Sequence, residues 1–262
     1  MRAGWLLLVL SVWLTPFSAA QAQKAPTEDK CPVAKVPPLV LPRLKDALAN
    51  NQEITIVALG SSSTAGWHAT DIAHSYPSIL QRTLNRALPN AHFAVINRGV
   101  GGQDITEMLP RLERDVLGVR PAVVIFQVGA NGAMRHMAPE LFKRLLTTGV
   151  QRLREARVDV VLMDNQRAPA ILASPEHVRF DQAMADVALS AGAGLFGRGG
   201  LMDQWKTEGR PYDEFISDDG IHHNDFGYRC VAEAIAQAMI DGLGGRPGTP
   251  APGSSAVANN RR

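Results

Sequence analysis

The chain has 262 residues, a formal charge of +2, two cysteines, 45% hydrophobic and 20% charged residues, all ordinary globular values. The near-neutral balance, with no Lys/Arg run, argues against a nucleic-acid binder. Two cysteines are too few for a disulfide scaffold or a four-cysteine zinc site, and the composition excludes collagen, coiled coil and wholesale disorder.

Arg2 gives a positive start, Trp5 to Leu14 a short apolar run broken only by Ser11, and Ala20-Gln21-Ala22 a small-x-small cleavage signal. This is the anatomy of a secretory signal peptide. The apolar run is about half of the ~20 residues needed to span a bilayer. Residues 1–22 are therefore read as a cleaved export signal, which places the mature chain in the periplasm or outside the cell with no membrane span. Residues 23–43 are proline-rich and read as an extended arm. Residues 242–262, rich in Gly, Pro, Ser and Ala, read as a flexible tail. The folded domain is expected over 44–241.

Ile54 to Leu59 is short, apolar and β-branched, so it reads as a buried strand. Tyr76, Ile79, Leu80, Leu84 and Leu88 then fall at helical spacing over 75–88. A second strand is predicted at 93–96. A helix with Pro110 as a kink is predicted at 104–117. A third strand at 122–126, a helix at 139–156, a fourth strand at 158–163, a helix at 176–191, a short strand at 194–196 and a closing helix at 224–241 follow. Continuously apolar strands separated by helices imply a parallel sheet covered on both faces. The predicted fold is α/β, a three-layer α/β/α sandwich of flavodoxin-like order. Functional groups of such sheets gather beyond the carboxyl ends of the strands.

Four segments sit there: Gly60 to Gly66, Asn97 to Asp104, Gly129 to Gly132, and Ser217 to Asn224. A P-loop is excluded, because Gly66 is six residues after Gly60 and Trp67 stands where a lysine would hold phosphate. Asp219 and His222 have a spacing that zinc ligands use, but a third ligand is not evident, so neither metal nor cofactor is expected. A serine-hydrolase reading uses more of the residues. A serine hydroxyl needs a base within reach. His222 supplies one, and Asp219, one turn earlier, fixes its tautomer. A backbone N–H after the first strand, the N–H of Gly102 and the Asn131 amide are candidate oxyanion donors. The lipase-type G-x-S-x-G elbow is absent.

The four segments, in this order, resemble the sequence blocks of the SGNH/GDSL hydrolases over about residues 53–241. Gly60-Ser61-Ser62 with Gly66 matches the first block, Gly102 the second, Gly129 with Asn131 the third, and Asp219 with His222 the last. The resemblance implies a flavodoxin-like core and a serine esterase, lipase or acyl hydrolase activity. It assigns Ser62 as nucleophile and Ser62, Gly102 and Asn131 to the oxyanion hole, with Asp219 and His222 completing the catalytic set. Two departures stand out. Ser61 and Gly132 replace the family's usual aspartates, and His223 stands where proline is frequent.

The expected function is an exported serine esterase acting on a small-molecule or glycan ester through an acyl-enzyme on Ser62. An O-acetyl esterase or acetyltransferase on envelope polysaccharide is the alternative, and a non-catalytic envelope binding protein a further one. His68, His74, His92, His136 and His177 are scattered and read as surface or core residues. Trp67, Met134 and His136 lie near the strand-end loops. In an oxidising compartment Cys31 and Cys230 are expected to pair and pin the arm to the last helix.

Overall fold

The computed structural model describes residues 30–50 and 52–244. The segments predicted as export signal, the start of the predicted arm and most of the predicted tail lie outside the described residues. The chain begins its regular structure earlier than expected, with helix α1 (Pro42–Ala49), whose Pro42 has the preset φ suited to a first turn. Strand β1 (Ile54–Gly60) leads into the one-turn helix α2 (Ser62–Ala65) and then α3 (Tyr76–Ala87). Strand β2 (Phe93–Gly99) is followed by α4 (Ile105–Met108) and α5 (Leu112–Asp115). These two replace the single helix predicted over 104–117. A 3-10 turn at Leu109–Arg111 separates them, because Pro110 offers no N–H to an α-helical ladder.

Strand β3 (Val123–Gln127) ends at α6 (Ala130–Met134), and α7 (Pro139–Glu155) returns the chain to β4 (Asp159–Met163). Helices α8 (Pro169–Leu172) and α9 (His177–Ala191) lead to β5 (Gly194–Phe196). Helices α10 (Arg198–Thr207) and α11 (Asp225–Gly244) complete the described chain. Helix α10 has no counterpart among the predicted elements. Its buried positions include Arg198 and Gly199, which obscure an apolar stripe.

The five strands pair in the order β2-β1-β3-β4-β5, every pair parallel. Side chains alternate across them. Ile54, Ile56 and Ala58 join one core with α1, α3, α10 and α11. Val57 and Leu59 join the other with α4, α5, α7 and α9. This is the three-layer sandwich that the strand composition predicts. No described helix is long and apolar enough to cross a membrane.

The segment before α1 lies along α11. Leu39 N–H donates to the Ala238 carbonyl at 2.8 Å. Gly242 makes room for this crossing, since a Cβ there would fall 1.8 Å from the Leu39 carbonyl oxygen. Cys31 and Cys230 are joined by a disulfide across 199 residues of sequence.

Candidate active site

The carboxyl ends of β1, β2 and β3 present three of the predicted segments, and the fourth, in the loop just before α11, meets them there. Beyond β1 the chain turns at once into α2, so that Ser62 is the first helical residue and is buried. Gly66 ends this turn with φ of 92°, a conformation costly for other residues. The Ser62 carbonyl accepts the N–H groups of Gly66 and Trp67, both at 3.0 Å.

The last segment forms a tight loop. Ser217 N–H donates to the His222 carbonyl at 2.8 Å, and Ile216 bridges His223 in antiparallel fashion. Inside the loop, Asp219 Oδ1 accepts the Ser217 hydroxyl at 2.6 Å and the N–H groups of Ile221 and His222 at 2.9 and 3.0 Å. Its Oδ2 lies 2.5 Å from His222 Nδ1. Burial alone would raise the Asp219 carboxyl. The Ser217 hydroxyl, the backbone N–H of His222, the His222 ring and the backbone N–H of Ile221 outweigh it and hold the carboxyl well below its ordinary range. His222 Nε2 is 2.7 Å from Ser62 Oγ. One imidazole thus bridges the serine and the carboxylate.

Asn131 enters on α6, where Gly129 turns the chain with φ of 118°. Its Nδ2 donates one hydrogen to the Gln103 carbonyl at 2.8 Å, which leaves its second amide hydrogen for another acceptor. Gly102 adopts φ of 79°, and its carbonyl accepts Arg135 Nη2 at 2.8 Å. The Ser62 and Gly102 N–H groups have no acceptor among the described residues. Three donors are therefore available on neighbouring loops.

The departures from the family pattern are matched by packing. Ser61 N–H and Oγ donate to Gln127 Oε1 at 2.9 and 3.1 Å, and Thr64 Oγ1 donates to the same oxygen at 3.0 Å. An aspartate at 61 would set its charge against that carbonyl oxygen. At Gly132 a Cβ would fall 2.9 Å from Phe180 Cε1, so a larger side chain has no room. His223 donates from Nδ1 to the Phe215 carbonyl at 3.0 Å. Burial, helped by the Arg198 charge, pushes His223 down to about 3 and keeps it neutral.

Several supporting residues escape sequence reasoning. Gln127, at the end of β3, anchors the Ser62 loop. Gln166 Nε2 ties Ser63 Oγ at 3.2 Å to the Ile221 carbonyl at 2.8 Å, and so joins the serine and histidine loops. Buried Arg111 donates to the Gly60 carbonyl at 3.0 Å, the Arg98 carbonyl at 2.8 Å and Gln103 Oε1 at 2.7 Å. The signal for Gln127 is a polar residue closing an apolar strand. Arg111 and Gln166 leave no comparable mark.

His68, expected among the scattered histidines, belongs here. Its ring stacks on His222 with centroids 5.4 Å apart and planes 7° apart. His68 Nε2 is 3.2 Å from Asp219 Oδ2. Trp67 is 54% exposed, and its ring lies 5.8 Å from that of His222. Met134 instead packs against the core, and His136 is exposed.

The fold and the four strand-end segments define a protein of the SGNH/GDSL hydrolase type. A family match over residues 30–244 makes the assignment narrower: the chain belongs to the non-GDSL lipase-like family. It is similar to esterase TesA of Pseudomonas aeruginosa, 27% identical over 115 residues, a match covering 44% of this chain and 56% of that protein. It is also similar to an arylesterase of Vibrio mimicus, 24% identical over 197 residues, covering 72% of this chain and 89% of the relative. Among solved structures, a two-domain esterase active on acetylated mannans superimposes with a TM-score of 0.66 at 23% identity. That match covers 83% of this chain and 58% of the other, and the likeness is one of fold.

Proposed function

We propose that the chain is an exported carboxylic ester hydrolase that works through an acyl-enzyme on Ser62. The observation that carries the reading is the bridge from Ser62 Oγ through His222 (2.7 Å) to Asp219 (2.5 Å). Ser62 Oγ attacks the acyl carbon while His222 Nε2 takes its proton. Asp219, kept ionised by its donors, stabilises the imidazolium. The oxyanion accepts from the N–H groups of Ser62 and Gly102 and from the free amide hydrogen of Asn131. His222 then returns the proton to the departing alkoxide. Water, deprotonated by the same nitrogen, attacks the acyl-enzyme and releases the carboxylic acid and Ser62.

The family membership and the esterase relatives support this chemistry. Export rests on the sequence of residues 1–22 and fits a disulfide, which persists in oxidising compartments. Hydrolysis of short-chain p-nitrophenyl esters by the purified protein, abolished in Ser62→Ala, is the expected result. Failure of Ser62 to react with a fluorophosphonate probe would favour a non-catalytic binding role.

A sugar acetate is the substrate class that one further observation favours. The exposed Trp67 indole beside His222 offers a face for a pyranose ring or another apolar alcohol. Acetate release from acetylated polysaccharide should then show a raised KM in Trp67→Ala, with kcat for p-nitrophenyl acetate nearly kept. An unchanged KM for the polysaccharide would remove this second reading.

A further inference from the structure

The metal spacing of Asp219 and His222 lacks a third ligand in the sequence, and the fold supplies one. Among the described residues, ligand atoms of His68, Asp219 and His222 all lie within 4.8 Å of one another. His68 Nε2 and His222 Nδ1 both approach Asp219 Oδ2, at 3.2 and 2.5 Å. The loop that carries His68 is built rather than loose. Thr70 N–H and Oγ1 donate to Asp225 at 2.9 and 2.7 Å, and Tyr228 Oη donates to the Trp67 carbonyl at 2.7 Å. His68 holds the left-handed conformation with φ of 63°. Its side chain is 38% exposed, so a cation can reach it from solvent.

We propose that His68, Asp219 and His222 form a Zn2+ site that switches the hydrolytic centre off. The switch rests on the reading of His222 as the general base. Two imidazoles and one carboxylate suit zinc better than magnesium or calcium, which prefer oxygen ligands. Zinc takes such ligands at about 2.0–2.2 Å in a tetrahedron, which sets the ligand atoms about 3.3–3.5 Å apart. The separation of His68 Nε2 and Asp219 Oδ2 already fits. The His222–Asp219 contact must open by about 1 Å to reach that spacing, and His68 must turn out of its stack on His222, because the lone pairs of two nearly parallel rings lie in separate planes. Asp218 Oδ1 stands 3.8 Å from His68 Nδ1, on the side where a carboxylate orients a zinc-bound imidazole. Water fills the fourth position.

The consequence follows from the tautomer. In the working site Nδ1 of His222 carries the proton and Nε2 offers its lone pair to Ser62. Zinc takes the lone pair of Nδ1, and the proton relocates through solvent to Nε2. The ring stays neutral and no net proton is released from it. Nε2–H now donates to Ser62 Oγ and cannot accept the serine proton, so attack stops.

The test is titration of the full chain with ZnCl2 by calorimetry, alongside ester hydrolysis. One Zn2+ should bind with a micromolar Kd, activity should fall over the same concentration range, and EDTA should restore it. His68→Phe keeps a stacked ring and removes the ligand, so Zn2+ affinity should fall at least about tenfold. His68→Asn, suited to the left-handed backbone, should do the same and serves if the phenylalanine variant does not fold. Ser62→Ala should bind Zn2+ as the wild type does. Absence of binding by an active enzyme, or equal binding by the His68 variants, overturns the site alone. Normal binding by a wild type that hydrolyses no ester leaves the site standing and overturns the esterase reading and the switch.

Discussion

Asp219 concentrates the electrostatics of the centre. Three donors fill its Oδ1 and His222 approaches its Oδ2, so its carboxyl titrates below its unfolded value. The sign of the linkage follows. This group contributes stability above the unfolded value and loses it only as pH falls through the lower folded one. Asp219 therefore stays ionised well below the ordinary carboxylate range, and the stability it contributes should fade only in strong acid, which acid unfolding of wild type against Asp219→Asn measures. Asp219→Asn should lower kcat by about 10³–10⁴; a loss under tenfold in a pre-steady-state assay would contradict its orienting role. Asn131→Ala should lower kcat by about 10²–10³ with little change in KM. Asp219 and His222 were legible because a three-residue spacing is local. His68 was not, since nothing near it in sequence marks its approach to Asp219 across the fold.

At the scale of elements, the strand-end loops gather the candidate site and two glutamines fasten them. Gln127 Oε1 accepts three hydrogen bonds from the serine loop. Gln127→Leu leaves those buried donors without an acceptor and should cost about 2–4 kcal/mol of stability; denaturant unfolding measures it. Gly132→Asp would restore the family's usual residue and meet Phe180 instead, so its midpoint should also fall. The β-strands were readable because both faces are buried and their apolar runs are unbroken. The predicted helix over 104–117 was not continuous, because its apolar stripe survives a 3-10 turn at Pro110. Helix α10 was invisible because its inward face carries Arg198, which donates from Nε and Nη2 to the Asp164 carbonyl at 3.0 and 2.8 Å.

For the whole molecule, the near-neutral charge sets no partner of its own, and a single covalent staple ties the arm to α11. The closed loop spans 199 residues, for which chain entropy gives a stabilisation of about 5 kcal/mol in the entropic model. Reduction with dithiothreitol should lower Tm clearly while leaving the initial rate of the folded enzyme nearly unchanged, because Cys31 and Cys230 take no part in the hydrolytic steps. An unchanged Tm would show that packing of Leu39 along α11 suffices. The pairing was inferable because two lone cysteines accompany a sequence that reads as an export signal, and because Cys230 falls on the predicted closing helix.

The central claim is that Ser62 is the nucleophile. Mass spectrometry of the full chain after incubation with a fluorophosphonate, paired with ester hydrolysis, tests it most directly. One adduct on Ser62, complete loss of hydrolysis in the labelled protein, and neither adduct nor activity in Ser62→Ala are expected. Label on another residue, or hydrolysis that persists in Ser62→Ala, would contradict it.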